Sequence, residues 1–140
     1  LLSSPNIGRV LVVDDHESWR RQLSSLVEQS GQWQIAGEAV DGLDAIAKAA
    51  AVQPDLILLD VELPSLNGIQ AARRIVAADP AARILFVSGH REHDIIAAAM
   101  ATGACGYILK TNVGHELLPA MEAIRDGERF ISAALAGHEG

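Results

Sequence analysis

Val10-Leu11-Val12-Val13-Asp14-Asp15-His16 and Leu56-Ile57-Leu58-Leu59-Asp60 decide the fold. Each is a run of four apolar residues closed by a carboxylate. Such a run, bounded by polar residues, reads as a strand buried on both faces, the condition of a central strand in a parallel sheet. A carboxylate at the carboxyl end of that strand stands where open α/β sheets hold their ligands. With the two strands adjacent, Asp14, Asp15 and Asp60 share one pocket. Two such charges about 4 Å apart repel by roughly 4 kcal/mol at an effective dielectric near 20. The cluster requires a cation, a proton or a nearby base.

Outward from these runs, strand-like and helical stretches alternate along the whole chain. A helix is expected over 17–29, with Trp19, Leu23, Leu26 and Val27 on one face. A second, less apolar strand follows over 34–39, then a helical face of Leu43, Ile46, Ala47 and Ala50. Pro54 blocks helix continuation before the strand 56–59. The loop 62–67 leads through Gly68 into a helix over 69–78, which Asp79-Pro80 ends. A strand over 84–87, a helix over 92–101, a strand over 106–109 and a helix over 113–125 complete the series, and Gly127 stops the last helix. Pro119 falls inside that helix, where a proline costs about 3 kcal/mol, so the helix starts later or kinks. Strict alternation predicts an α/β, doubly wound, five-stranded parallel sheet with helices on both faces. One domain is expected over 7–127. Residues 1–6 read as a flexible N-terminal segment, and 128–140 as a linker or C-terminal tail.

Composition fits that reading. The chain has 140 residues, 49% of them apolar and 21% charged, enough for one ordinary core. A formal net charge of -7 argues against generic affinity for nucleic acid or an anionic membrane. The lone Cys105 lies in an apolar stretch and suits a reducing cytoplasm. No apolar run has the length of a membrane span, and no signal-peptide pattern opens the chain.

The carboxyl ends of the strands gather Asp14 and Asp15, Asp60, Ser88 and Lys110 at one sheet edge. A carboxylate nucleophile, metal-binding carboxylates, a hydroxyl and an ammonium together suit phosphoryl transfer to an aspartate. Magnesium takes oxygen ligands, and the transfer itself needs positioning and charge neutralisation above all.

From Arg9 to Gly127 the sequence resembles the receiver domain of two-component response regulators. The resemblance rests on Val12-Val13-Asp14-Asp15-His16, Asp60-Val61-Glu62-Leu63-Pro64 with Asn67-Gly68, and Gly106-Tyr107-Ile108-Leu109-Lys110. Gly37-Glu38-Ala39 with Asp41-Gly42, and Gly127-Glu128-Arg129-Phe130, look most like the NarL/FixJ subfamily, whose members carry a LuxR-type helix-turn-helix. The resemblance implies a flavodoxin-like sheet in the order 2-1-3-4-5, an architecture for which a chemotaxis receiver is itself a standard example. It implies Asp60 as phosphoacceptor, and Mg2+ held by Asp14, Asp15, Asp60 and the Glu62 backbone carbonyl. Lys110 would pair with the phosphoryl group and Ser88 would bond it in the active state. Tyr107 matches the aromatic switch whose ring turns inward when the hydroxyl residue moves. Glu62 and His90, each two residues past a reactive position, would line the path of the attacking water and tune phosphoryl lifetime. The implied partners are a sensor histidine kinase, a second copy through receiver surfaces, and DNA only through an output domain absent from this chain. The implied protein is a cytoplasmic signalling domain, with no metabolite turnover. Leu63, Ser88 and Thr111 replace the commoner methionine, threonine and proline of the family.

Plainer readings exist for each residue alone. Asp14-Asp15 is also a fair helix N-cap pair. Lys110 at a strand end is commonly a solvated charge, and a tyrosine in an edge strand commonly just covers the core. His90 and His93 have a spacing that can bind metal but lack further ligands, so they read as surface residues. His16 reads as a helix-start residue, and Trp19 and Trp33 as packing. Two other activities compete. A haloacid-dehalogenase-type hydrolase also forms an aspartyl phosphate, but wants an aspartate where Glu62 stands and a cap domain besides. A flavin or nucleotide domain wants a Gly-rich first turn where Asp14-Asp15-His16-Glu17 stands. A receiver reduced to a binding module is disfavoured because every expected group is present.

Overall fold

Strands β1 (Gly8–Val13) and β3 (Leu56–Leu59) lie side by side, with Val10 opposite Leu56 and Val13 opposite Leu59. That adjacency carries Asp14 and Asp60 to one end of the sheet. The computed structural model describes residues 7–138, so the segment 1–6, expected to be flexible, lies outside the described residues. β2 (Trp33–Ala39) pairs with the other side of β1, and β4 (Ile84–Ser88) and β5 (Gly106–Leu109) follow β3. All pairings are parallel, as the alternation predicted.

Period-two side-chain alternation divides the core into two halves. Leu11, Val13, Ile57, Leu59, Phe86, Tyr107 and Leu109 face one side, against α2 (Gly42–Val52), α3 (Gly68–Ala78) and α4 (His93–Met100). Val10, Val12, Leu56, Leu58, Leu85, Val87 and Ile108 face the other, against α1 (Glu17–Gln29) and α5 (Val113–Arg125). Helices therefore cover both faces. This is the doubly wound, flavodoxin-like arrangement.

The expected five strands become six. β6 (Phe130–Ile131) pairs with Gly106 and Tyr107, giving the order β2-β1-β3-β4-β5-β6 among the described residues. Gly127, at a φ of 87°, turns the chain back after α5. The β5 edge then satisfies the returning backbone: Phe130 N–H donates to Cys105 O (3.1 Å) and Ser132 N–H to Tyr107 O (2.9 Å). Ser132 and Leu135 are buried, so the reading of 128–140 as linker or tail is corrected for Phe130 to Leu135, which pack on the domain. A two-residue strand has no periodicity by which it could be recognised in the sequence.

The remaining boundaries match or shift by at most two residues. α5 begins at Val113 and continues through the exposed Pro119, so the later start that the proline suggested does not occur. No described peptide bond is cis, so Lys110 joins Thr111 through a trans bond and opens a 3₁₀ turn over Lys110–Asn112. Of the loops at the carboxyl end, the one after β3 is tightly fixed. Asn67 and Gln70 form a reciprocal capping box at the start of α3. Gly68 lies so close beneath that a Cβ there would sit 1.9 Å from the Asp60 carbonyl oxygen.

Candidate functional site

Asp14 and Asp60 leave their strands directly and are almost wholly buried, at 1% and 4% exposure. Asp15, one residue further, is partly exposed. Lys110, where β5 ends, reaches back across β4 to both buried carboxylates. Its Nζ lies 3.0 Å from Asp60 Oδ2 and 2.8 Å from Asp14 Oδ2. The contact with Asp60 is a hydrogen bond, whereas that with Asp14 is an ion pair outside hydrogen-bond geometry. The buried Asp14 Oδ2 thus has the Lys110 ammonium alone as polar partner among the described residues.

Electrostatics follow from this packing. Burial pushes the Asp60 carboxyl above the usual carboxylate range; Lys110 pulls it down, and Asp14 pushes it up again. For Lys110, burial works against the ammonium, but the Asp14 and Asp60 carboxylates outweigh it and hold its pKa above the ordinary value. The ammonium also lies 4.9 Å from the centre of the Trp19 ring, so that ring supports the lysine as well as packing on α1.

His16 joins the cluster, which its reading as a helix-start residue did not anticipate. It is the N-cap of α1, so neither Asp14 nor Asp15 is the cap. Its N–H donates to Asp14 Oδ1 (2.9 Å), and its Nδ1 lies 3.1 Å from that oxygen and 3.2 Å from Asp15 Oδ1. Its place directly after two aspartates was the available signal. Arg20, one turn along α1, donates to the Asp14 carbonyl (2.8 Å) and fixes the start of the loop.

The second group centres on His90. Ser88 is fully buried at the end of β4, and its Oγ accepts from His90 N–H (3.1 Å). Tyr107 is fully buried, its ring 6.1 Å from Phe86 between centres, and its hydroxyl donates to the His90 carbonyl (2.8 Å). The ring therefore points inward. Burial raises the Tyr107 pKa, with Ser88 opposing. The His90 imidazole bridges two loops, with Nε2 against Glu62 and Nδ1 2.8 Å from Glu92 Oε2. Partial burial works against its protonation, but the two carboxylates outweigh it and raise its pKa. His16, Asp60, Glu62, Gly89, His90 and Lys110 line an open cleft of about 320 Å³. The His90 imidazole is committed to the Glu62 and Glu92 carboxylates.

The sequence pattern of the response regulator receiver domain matches residues 10–122. This chain belongs to that family. The receiver domain is 32% identical over 127 residues to the response regulator UvrY of Escherichia coli O6:H1, covering 91% of this chain and 58% of UvrY. It is 31% identical over 129 residues to the transcriptional regulatory protein LiaR of Bacillus subtilis, covering 92% of this chain and 61% of LiaR. It thus spans less than two thirds of these relatives. Among solved structures, a LuxR-family two-component response regulator from Aurantimonas sp. SI85-9A1 superposes with a TM-score of 0.91 at 34% identity, over 95% of both chains. The subfamily expectation agrees with these relatives. Phosphorylation and magnesium are general features of receiver domains, which are signalling domains.

The residues of this receiver domain fit a magnesium ion. Asp14, Asp15, His16 and Asp60 offer ligand atoms all within 4.8 Å of one another. Lys110 neutralises one of three carboxylate charges, and the buried Asp14 Oδ2 is an oxygen donor lacking a hydrogen bond. Hard oxygen donors of that kind are what magnesium takes. No described helix is long and apolar enough to cross a membrane.

Proposed function

We propose that Asp60 is the phosphoacceptor, that Asp14, Asp15, Asp60 and the Glu62 backbone carbonyl hold Mg2+, and that a sensor histidine kinase is the phosphoryl donor. The observation that carries this reading is the Lys110 ammonium set between the buried carboxylates of Asp14 and Asp60. An oxygen of Asp60 attacks the phosphorus of a phosphohistidine. The phosphorus–nitrogen bond breaks, and the imidazole leaves with the electron pair. Bound magnesium supplies charge neutralisation for the phosphoryl oxygens. Lys110 would neutralise the same charge from the β5 end, exchanging its hydrogen bond to Asp60 for one to the phosphoryl group. A backbone hydrogen bond from Glu62 holds the Asp60 carboxylate in place.

The product adds acceptor oxygens beside Ser88. Ser88 turns its hydroxyl toward them and loosens its bond to His90 N–H. Because the Tyr107 hydroxyl rests on the carbonyl of that same His90, the loop and the ring respond together. Phosphorylation thus shifts the population between two arrangements of Ser88, His90 and Tyr107. The Glu62–His90 pair stands over the cleft and tunes hydrolysis by limiting the approach of water. We assign control of transcription as the output, by likeness to relatives such as the transcriptional regulatory protein LiaR, and keep the expectation of a cytoplasmic protein that pairs with a second copy.

Acetyl phosphate with magnesium tests the acceptor. Wild type should gain an acid-labile phosphate by mass, and Asp60→Asn should gain none. A wild-type chain that stays unmodified overturns the reading. Glu62→Ala and His90→Ala should each change the dephosphorylation rate by several-fold, and unchanged rates would remove the lifetime role alone.

A further inference from the structure

Beyond Gly127 the chain turns back onto the domain. β6 closes the free edge of β5, and Gly106 is fitted to it: a Cβ there would lie 2.5 Å from the Phe130 carbonyl oxygen. Ser132 is fully buried and fully bonded. Its Oγ accepts from Leu109 N–H (3.0 Å) and donates to Glu116 Oε1 on α5. The other Glu116 oxygen accepts from Ala133 N–H (3.0 Å), and Leu135 N–H closes the turn on Ser132 O (2.9 Å). Leu135, 1% exposed, enters the core half that holds Tyr107, Ile96 and Phe86.

Two of these contacts meet the switch. The Ser132 amide and the Leu135 side chain address Tyr107, and the Ser132 hydroxyl holds the amide of the residue before Lys110. On the α4 side, Leu135 and Ile131 line a groove of about 220 Å³ with Ile96, Ala97 and Met100. The bond from the Ser132 amide to the Tyr107 carbonyl and the place of Leu135 in the same core half tie this segment to the residue that carries the ring. The seated segment and the inward ring therefore favour one another.

We propose that residues 130–135 form a strap whose seating is coupled to occupancy of Asp60: the Ser132 amide bonds the Tyr107 carbonyl, Leu135 fills the core half that holds the inward Tyr107, and Ser132 positions Lys110 through the Leu109 amide. This rests on the phosphoacceptor reading of Asp60 and on Tyr107 following Ser88. Linkage makes the coupling reciprocal. Whatever holds the ring inward seats the strap, and loss of the strap weakens acyl-phosphate mimicry at Asp60 by the same factor. The phosphorylated site then acts on the chain after residue 135 directly, through a segment already seated on the domain.

Amide hydrogen exchange on the full chain, with magnesium and with or without beryllofluoride, reads the strap without any substitution. Exchange at Leu109, Ser132 and Leu135 should slow by about 5-fold or more when beryllofluoride binds, the low end of ordinary allosteric coupling. Leu135→Ser and Ser132→Ala should weaken beryllofluoride binding, followed through Trp19 fluorescence. Ser132→Ala should change magnesium affinity several-fold less than beryllofluoride affinity, because Lys110 would pair directly with the beryllofluoride and meets the metal only through the Asp14 and Asp60 carboxylates. Equal weakening of both ligands would make Ser132 a general stabiliser and overturn its positioning role. Beryllofluoride binding with unchanged strap exchange would overturn the coupling and leave the acceptor reading intact. A wild type that neither binds beryllofluoride nor gains phosphate would overturn both.

Discussion

Asp60 is a buried carboxyl group paired with Lys110, and the burial that serves its chemistry opposes its charge. Burial raises its pKa above the ordinary 3.8 despite Lys110. The folded state therefore holds that proton more tightly than the unfolded chain, and stability falls as pH rises from about the unfolded value through the folded one. At neutral pH the charge is a net burden. Asp60→Asn removes that charge while Asp14 keeps Lys110 paired, and should accordingly raise the unfolding free energy at pH 7 by on the order of 1 kcal/mol in urea titration. A less stable variant would contradict this. His90 has the opposite consequence. Its pKa is raised from 6.5 by Glu92 and Glu62, so its contribution is full below the unfolded value and is lost as pH rises through the folded one. Both carboxylates are largely exposed, at 60% and 75%, so the effect should stay under about 1 kcal/mol. The decline above pH 6.5 should vanish in His90→Asn; persistence of the same slope would assign it to another group.

At the scale of elements, the apolar runs were legible because a strand buried on both faces has no polar positions to disguise it. β3 and β5 match their expected limits for that reason, and α1 and α5 match because turn residues and glycines stop them. β6 was invisible, since two residues show no period and owe their conformation to the β5 edge. Pro119 is the local misfit. It has no N–H to give the carbonyl four residues back, yet α5 runs through it, held by Leu117, Ala120, Met121 and Ile124 in the core. Pro119→Ala restores that bond at an exposed position and should raise stability by about 1–3 kcal/mol in chemical denaturation. An unchanged midpoint would mean that the helix has already absorbed the proline. Gly68→Ala should do the reverse. Its Cβ meets the Asp60 carbonyl, so the loop after β3 must shift, with a loss of about 1–3 kcal/mol. Phosphorylation by acetyl phosphate should slow with it, because the displaced carbonyl belongs to the acceptor.

Across the whole molecule, order in the sheet should set order in stability. β1, β3 and β4 are interior strands with buried residues at nearly every position, whereas β2 carries exposed residues at the sheet edge and β6 has two residues. Native-state hydrogen exchange should find β1, β3 and β4 amides opening only by global unfolding, with β2 and β6 opening at lower free energy. Equal protection throughout would mean that the edges are locked as firmly as the centre. The sequence by itself determined the parallel α/β sheet and the residue types at its carboxyl edge, because buried strands and their terminal carboxylates are written in contiguous residues. Only the tertiary structure decided how those residues engage. Lys110 bridges Asp14 and Asp60, His16 enters the acidic cluster, His90 ties Ser88 to Tyr107, and Ser132 reaches both Leu109 and Glu116. Apart from the local bonds of His16 to Asp14 and of His90 to Ser88, these contacts join separate elements. Their energy depends on distance and burial, and separation along the chain specifies neither.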